Sequence, residues 1–339
     1  MISKFLFQWH ITSACNLRCK HCYQSAYGRH TSIDDLKLAS EQLSRFKRYY
    51  NASAHVNLTG GEPLLSPYIY DVLDMLTENE MTFGLLTNGT LIDGITAKRL
   101  CSYKKLTYVQ ISIDGGEAMH DSIRGEGNFS KAMHGASLIR KYSKRRIPVY
   151  ASFTAHKNNM DALHDAVEAC RKNKIDFFWT DRLIPFGQAD SEMCMSPDEV
   201  KRFLDDLSSE ASRNRRLFSN TFVKTGRALQ FYCNCGFGVY HCEAGDTFFT
   251  IDEDLQLLPC RRMPIKIGDL HEDELVNLYQ QSDILGKLRL HRIPDDCKGC
   301  LYEYSCRGGL KCLAYALNGD FDTIDPGCFM SPAFKSARL

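Results

Sequence analysis

Short apolar or β-branched runs alternate with segments of helical periodicity along the first two-thirds of the chain. The runs predict six strands, at Phe5–Ile11, Val56–Leu58, Thr82–Thr87, Thr107–Ile113, Val149–Thr154 and Phe177–Arg182. Between the first two, apolar residues three or four positions apart predict an amphipathic helix at Leu36, Ala39, Leu43, Phe46 and Tyr50. Ser32 and Ser196 have the spacing of helix N-caps, and the second is followed by Pro197 and Glu199.

Strands that alternate with helices imply an α/β fold, with a parallel sheet and helices outside it. An open barrel of six βα units and a doubly wound sheet both fit this order. In either, residues that act on a ligand lie at the C-terminal ends of the strands. Four Gly-containing stretches follow predicted strands: 60–63, 87–89, 112–115 and 185–187. We therefore expect one shared site at this rim.

The composition fits a chain with one large and one smaller domain. It has 339 residues, 44% of them hydrophobic. Its 42 basic and 41 acidic residues give no electrostatic case for a nucleic-acid partner or an anionic membrane. There is no apolar export signal or membrane-length run, which predicts a cytoplasmic protein. In that reducing compartment the 15 cysteines are expected to bind metal rather than to form disulfides.

The cysteines are unevenly distributed. Cys15, Cys19 and Cys22 lie together near the start, and nine more fall between Cys233 and Cys328. This change in density predicts two domains, 1–225 and 226–339.

The first three cysteines form an incomplete metal cage. A [4Fe–4S] cube takes four ligands, so three thiolates within eight residues leave one iron open to another molecule. The alternative is a zinc site completed by His10 or His21.

This triplet, followed by Tyr23, by Gly-Gly-Glu-Pro at 60–63 and by Ser-Ile-Asp-Gly at 112–115, resembles the radical S-adenosylmethionine (radical SAM) superfamily. The resemblance extends from residue 5 to about residue 190. It implies a partial, TIM-like (β/α)6 barrel and a SAM-binding [4Fe–4S] cluster on Cys15, Cys19 and Cys22. It also implies a one-electron donor such as flavodoxin or ferredoxin. In this family SAM is cleaved reductively to a 5′-deoxyadenosyl radical, which takes a hydrogen from the substrate.

The same resemblance implies contacts to SAM. Tyr23 would flank the adenine, and Gly60, Gly61 and Glu62 would meet the methionine amino group. Ser112 and Asp114 would face SAM from the fourth strand, and Arg124 would pair with its carboxylate. The alternative for Asp114, His120 and Arg124 is a surface ion network.

The C-terminal third resembles a SPASM domain, which usually holds two auxiliary [4Fe–4S] clusters. One would take Cys242, Cys260, Cys312 and either Cys233 or Cys235, of which Cys235 is better spaced. The other would take Cys297, Cys300, Cys306 and Cys328. Two tetrahedral zinc sites would also use eight cysteines.

Two residues depart from the SPASM pattern. The SPASM pattern usually has a cysteine at position 310, which is Leu310 here, and the nearest cysteine is Cys312, two residues later. The pattern usually has a glycine at position 255, which is Leu255 here. Either change could leave the first auxiliary cluster with an open iron, or absent. The clusters would provide a path for electrons or an iron that binds substrate. The alternative is that they only stabilise the fold of the domain.

Four functions compete. The leading one is maturation of a ribosomally made peptide, by a thioether or carbon cross-link or by epimerisation; segments 260–270 and 306–320 resemble peptide-modifying and haem-modifying branches. The second is a tetrapyrrole enzyme of the haem pathway. The third, a sulfatase maturase, is disfavoured because Arg261 stands where that family has an aspartate. The fourth is a non-catalytic metal-binding module.

The first strand begins near Phe5, which leaves no room for an N-terminal winged-helix domain that grips a peptide leader. We therefore expect leader recognition by a separate protein, or by docking of a strand on an open sheet edge.

Overall fold

The computed structural model describes residues 4–216, 221–230 and 242–330, with the side chains of 214–216 left out. Its ten strands form one sheet in the order β10-β9-β8-β1-β2-β3-β4-β5-β6-β7. The strands are β1 Lys4–His10, β2 Ser53–Thr59, β3 Thr82–Thr87, β4 Leu106–Ser112, β5 Val149–Ala155, β6 Phe177–Arg182, β7 Phe222–Val223, β8 Phe248–Ile251, β9 Gln256–Leu258 and β10 Gly268–Asp269.

The first six strands confirm the predicted α/β order and decide between its two forms. Each of β1 to β6 pairs in parallel with the next strand in sequence. A doubly wound sheet requires the strand order to reverse at a switch point, so that alternative is wrong. Winding in one direction produces a partial (β/α)6 barrel, with the strand ends gathered on one rim.

The helices lie between the strands and include the two whose starts were predicted. Ser32 Oγ accepts a hydrogen bond from Asp35 N over 3.1 Å, and Ser196 Oγ accepts one from Glu199 N over 3.3 Å. The helices are α1 Ile33–Tyr49, α2 Ile69–Glu78, α3 Gly94–Ser102, α4 Glu117–Arg124, α5 Asn128–Ser143, α6 Leu163–Lys172, α7 Pro197–Arg216, α8 Leu275–Gln281, α9 Asp283–Arg289, α10 Glu303–Cys306 and α11 Lys311–Asn318. Among the described residues, no helix has the length and apolarity needed to cross a membrane.

Side chains along the strands point alternately to the apolar core and to the cavity. In β1, Phe5, Phe7 and Trp9 are at most 1% exposed and belong to the apolar core. Gln8, between them, lines the cavity on the concave side. Successive side chains of a strand point to opposite faces, so the apolar face packs under the helices and the other face is free for a ligand.

The sheet continues past the predicted boundary at residue 225. β8 pairs in parallel with β1, from Leu6 opposite Phe248 to Trp9 opposite Ile251. β9 and β10 then add antiparallel strands at that edge. The C-terminal cysteines are thereby attached to the barrel through its first strand. The division into 1–225 and 226–339 stays a prediction.

Candidate active site

One large cavity lies on the concave side of the barrel, with a volume of about 900 Å³. Residues on both sides of position 225 line it. Six of its lining residues are cysteines: Cys15, Cys19, Cys22, Cys242, Cys260 and Cys312. The structure therefore brings the N-terminal triplet and three C-terminal cysteines to one space.

The N-terminal triplet follows β1 and is held in a crowded environment. Burial raises the pKa of the Cys15 thiol to about 11, and thiolates at Cys19 and Cys22 would raise it further. Burial also raises the pKa of Cys19, against the opposing effect of Arg124. Thiolates this close repel one another unless a cation binds them. The donor set fits an iron cluster with one iron open towards the cavity.

The Gly60–Gly61 turn packs directly on the chain that leads to the cysteines. Gly61 N donates to Thr12 O over 2.8 Å, and Glu62 N donates to Ala14 O over 2.8 Å. Gly60 has φ +144°, and a Cβ there would lie 2.1 Å from Thr12 O. Only glycine permits this approach. Gly60 and Gly61 also line the cavity, and the lack of side chains lets their backbone pack against Thr12 and Ala14.

Glu62 lies behind the cavity wall and is 0% exposed. Its Oε1 accepts from Thr87 Oγ1 over 2.7 Å, and its Oε2 accepts from Asn88 N over 2.8 Å. Burial raises the pKa of Glu62 to about 7, although these donors act in the opposite direction. The carboxylate therefore braces the ends of β2 and β3 against each other, and its direct contact with SAM stays a prediction.

Asp114 and Arg124 form a buried ion pair beside the triplet. Arg124 Nε donates to Asp114 Oδ2 over 2.5 Å, and Arg124 Nη1 lies 3.5 Å from Cys19 Sγ. Burial opposes ionisation of Asp114, but Arg124 and His21 hold its pKa well below the usual range. With Asp114 and His120 at most 1% exposed, a surface ion network is wrong. Arg124, Tyr23 and Ser112 line the cavity; Asp114 positions Arg124 from behind.

Three C-terminal cysteines form a second set at the same cavity. Burial raises the pKa of Cys242 to about 11 and that of Cys312 well above its usual value, with Cys260 contributing to both shifts. Cys312 therefore lies close to Cys242 and Cys260. It does so although it stands two residues after position 310, where the SPASM pattern usually has this cysteine. Cys233 and Cys235 lie outside the described residues.

The other four C-terminal cysteines line a separate small cavity. Burial raises the pKa of Cys297 to about 11 and of Cys306 to about 12, and neighbouring thiolates add to both shifts. The residues at this cavity are Cys297, Cys300, Cys306 and Cys328. The seven described cysteines of this region therefore divide into the two predicted sets.

The spacing of the sulfurs disfavours the zinc alternative. A tetrahedral zinc ion with Zn–S bonds of about 2.3 Å holds its sulfurs about 3.8 Å apart. Among the described residues, no three cysteine sulfurs lie within 4.8 Å of one another; the group that does meet this distance is His164, Glu168 and Glu210. In that group, Glu210 pairs with Arg171 over 3.1 Å, so its carboxylate is already engaged by a cation.

The sequence model of the Radical SAM superfamily matches residues 9–170, from the end of β1 into α6. The chain contains a radical SAM domain. The Cys triplet, the Gly-Gly-Glu-Pro turn and the Asp114–Arg124 pair all lie within it. The residues around the cavity fit the [4Fe–4S] cluster and SAM that this family uses: three thiolates, a glycine backbone at the cavity wall and the guanidinium of Arg124. The predicted fold class, a radical SAM barrel followed by a Cys-rich SPASM-like region, is confirmed.

The relatives of this chain include proteins named as heme synthases and proteins named as mycofactocin maturases. The chain is 25% identical to the AdoMet-dependent heme synthase of Methanosarcina barkeri, with 97% of each chain covered. It is 26% identical to the mycofactocin maturase MftC of Mycolicibacterium smegmatis, with 98% of this chain and 85% of that protein covered. The crystal structure of Streptococcus suis SuiB bound to precursor peptide SuiA matches with a TM-score of 0.74 and 17% identity, over 96% of this chain and 75% of that one. At that identity the similarity shows the fold alone.

Sequence reasoning missed the arginines of the C-terminal side of the cavity. Arg227 and Arg262 both donate to Asp181 Oδ2, and Arg261 lies over the Tyr23 ring. The sequence marks Arg261 only as a departure from the aspartate that sulfatase maturases have at this position. No local pattern marks these residues, because their partners are far away in sequence.

Proposed function

We propose that this radical SAM enzyme matures a ribosomally made peptide, by forming a thioether or carbon cross-link or by inverting a stereocentre. The match of residues 9–170 to the Radical SAM superfamily supports a reaction that begins with abstraction of a hydrogen atom from the substrate. The choice of a peptide is supported by the mycofactocin maturase relative and by the fold shared with SuiB, which is bound to a precursor peptide.

The shared cavity is the observation that carries this proposal. Small-ligand pockets commonly enclose about 300–1,000 Å³, and this cavity of about 900 Å³ lies at the upper end. It has room for SAM together with a side chain or short segment of a substrate. A substrate there lies between the Cys15 set and the Cys260 set, as a reaction with two electron-transfer steps requires.

We assign the roles of the chain's own residues as follows. Cys15, Cys19 and Cys22 would hold the cluster that, with SAM, supplies the hydrogen-abstracting radical. The backbone at Gly60 and Gly61 would receive the amino-acid end of SAM. Arg124, held by Asp114, would orient the SAM carboxylate and place positive charge beside Cys19. Glu62 would keep the turn rigid, and Tyr23 and Ser112 would complete the SAM-facing wall.

The C-terminal cysteines are proposed to hold two auxiliary [4Fe–4S] clusters. Cys242, Cys260 and Cys312 would hold the cluster nearer the cavity, with Cys235 or Cys233 as the fourth ligand. Cys297, Cys300, Cys306 and Cys328 would hold the other. A flavodoxin or ferredoxin would supply electrons, and a separate protein or an open sheet edge would receive the peptide leader.

The test is anaerobic co-expression with each short peptide encoded beside this gene, followed by mass spectrometry of the peptide. A loss of two hydrogens per event is expected for cross-linking, and uptake of one deuterium from heavy water is expected for epimerisation. The matched control replaces Cys15, Cys19 and Cys22 with alanine and must leave the peptide unmodified. An unchanged peptide with the intact enzyme would overturn the proposal.

A second candidate is oxidation of a tetrapyrrole side chain. Two observations favour it: the heme synthase relative covers 97% of this chain, and arginines line the C-terminal side of the cavity. Formation of 5′-deoxyadenosine only when a tetrapyrrole is supplied, with peptides left unchanged, would select this candidate.

A further inference from the structure

Arg261 occupies a distinctive place in the cavity wall. It directly follows Cys260, and its backbone N–H donates to Thr250 Oγ1 over 2.9 Å. Its guanidinium carbon lies 3.3 Å from the centre of the Tyr23 ring. Tyr23 in turn follows Cys22. The guanidinium therefore lies between the N-terminal cysteine set and the C-terminal set, in the space where a substrate would react.

Arg261 differs from its neighbours in lacking an acidic partner. Five arginines line the cavity: Arg124, Arg182, Arg227, Arg261 and Arg262. Arg124 pairs with Asp114, Arg182 with Asp325, and both Arg227 and Arg262 with Asp181. Among the described residues, Arg261 has no such carboxylate, and its Nε is shut off from solvent without a hydrogen-bond acceptor.

The residues that the structure does not describe, 1–3, 217–220, 231–241 and 331–339, contain no Asp or Glu. A guanidinium nitrogen that is shut off from water without an acceptor loses a hydrogen bond, and a carboxylate of a ligand in the cavity would restore it.

We propose that Arg261 is a specificity-determining residue that binds a carboxylate of the substrate. A guanidinium matches a carboxylate through two parallel N–H···O bonds, and the contact with Tyr23 limits the rotation of Arg261 before the ligand arrives. The inference rests on the proposed function in one respect: the substrate must react in this cavity. On a peptide, the carboxylate is the C-terminus or an Asp or Glu side chain.

SAM also has a carboxylate, so the experiment must separate the two sources. Arg124, beside Cys19, is the guanidinium assigned to SAM above, whereas Arg261 is next to the C-terminal cysteines. Uncoupled formation of 5′-deoxyadenosine, measured without substrate, reports the KM for SAM. Modification of a peptide that the co-expression test shows to be a substrate reports the KM for substrate.

The kinetic test uses Arg261→Gln and Arg261→Lys in the fully reconstituted enzyme. We expect Arg261→Gln to raise the peptide KM roughly 10- to 100-fold, the loss of one charged hydrogen-bonded contact, with the KM for SAM unchanged. Arg261→Lys keeps the charge but loses the two parallel N–H···O bonds, so it should recover only part of the affinity. Arg99→Gln is the matched control, because Arg99 lies 3.4 Å over the Tyr70 ring outside the cavity. A rise in the KM for SAM, or equal effects of Gln and Lys, would overturn the proposal.

A second measurement does not depend on peptide maturation. The reconstituted enzyme is treated with phenylglyoxal, which modifies arginines, and the adducts are mapped by mass spectrometry. Arg261 should react faster than the paired Arg124 and Arg182. Glutarate, a dicarboxylate probe, should slow the reaction at Arg261, and its neutral diamide should not. Protection by glutarate when no peptide is modified would leave Arg261 as a carboxylate site and remove the peptide proposal; equal rates with both probes would overturn the carboxylate site itself.

Discussion

Arg182, the last residue of β6, donates from Nη1 to Asp325 Oδ1 over 2.8 Å and from Nη2 to Asp325 Oδ2. Both side chains are buried. Asp325 also accepts from Leu310 N over 3.0 Å and from Gly327 N over 2.9 Å. This one carboxylate therefore fixes the segment between Cys306 and Cys328 to the rim of the barrel.

Asp325→Ala is expected to destabilise the protein by roughly 3–5 kcal/mol, because it leaves the Arg182 charge buried and unpaired. It should also lower the iron content, because Cys328 follows a loop that Asp325 holds. Denaturant titration and iron analysis measure both effects. The matched control is Asp295→Ala, which removes an exposed ion pair with Lys298 and should change stability by less than about 1 kcal/mol. Equal effects of the two substitutions would contradict this assignment.

The cysteine sets predict the iron content of variants. Three [4Fe–4S] clusters correspond to about 12 iron atoms per chain. Replacing Cys15, Cys19 and Cys22 together with alanine should leave about 8 iron atoms and abolish 5′-deoxyadenosine formation. Replacing Cys297 and Cys300 should also remove about 4 iron atoms but keep SAM cleavage. Cys170→Ala, at a buried cysteine outside these sets, serves as the control. Iron contents that do not change in steps of four would contradict the division into sets.

Glu62 should titrate near neutral pH. Its pKa is raised from 4.5 to about 7 by burial. The stability that it contributes when protonated is therefore complete below about pH 4.5 and is lost as the pH rises through about 7, by at most about 3 kcal/mol. Difference infrared spectroscopy of the protonated carboxyl band, absent in Glu62→Gln, should show this band disappear with a midpoint near pH 7. A midpoint near pH 4.5 would mean that the three hydrogen bonds cancel the effect of burial on the pKa.

Gly60→Ala is expected to be far more disruptive than Gly28→Ala. Both glycines have positive φ, +144° and +97°, but a Cβ at Gly28 meets nothing within 4 Å. Gly28→Ala should therefore cost only backbone strain of roughly 1–2 kcal/mol. At Gly60 the new carbon meets the Thr12 carbonyl, so a loss above roughly 4 kcal/mol is expected, with SAM cleavage abolished. Circular dichroism during denaturation and uncoupled 5′-deoxyadenosine formation measure the two variants side by side. Similar losses in both would show that the Thr12 contact is unimportant.

Local patterns in the sequence predicted the local parts of this structure. The bounds of β3 and β6 agree with the apolar runs at Thr82–Thr87 and Phe177–Arg182, because threonine and aromatic residues favour strands. The Ser32 and Ser196 caps were visible for the same reason, since each partner lies three residues away. The resemblance to known families supplied the cysteine sets, which burial and charge now group in the same way.

Local patterns in the sequence did not predict the contacts between residues that are far apart along the chain. The pairing of β8 with β1 joins residues more than 200 positions apart, and no run around Phe248 indicates its partner. The winding direction of the sheet was likewise open, because both alternatives have the same order of elements. Arg261 gave no signal until the fold placed it over the Tyr23 ring, where it forms no ion pair with a carboxylate of the described residues.

Leu255 provides a test in which two effects oppose each other. It stands where the SPASM pattern usually has glycine, and its φ of +60° lies in the left-handed region that glycine favours. Its side chain is nevertheless 0% exposed in the core. Leu255→Gly should relieve roughly 1 kcal/mol of backbone strain but lose roughly 2–5 kcal/mol of apolar burial, for a net loss of stability. Arg145→Gly is the matched control, because Arg145 is exposed and has φ of +66°, so glycine there should stabilise slightly. If denaturant titration finds that both variants gain stability, backbone strain outweighs burial in the turn between β8 and β9.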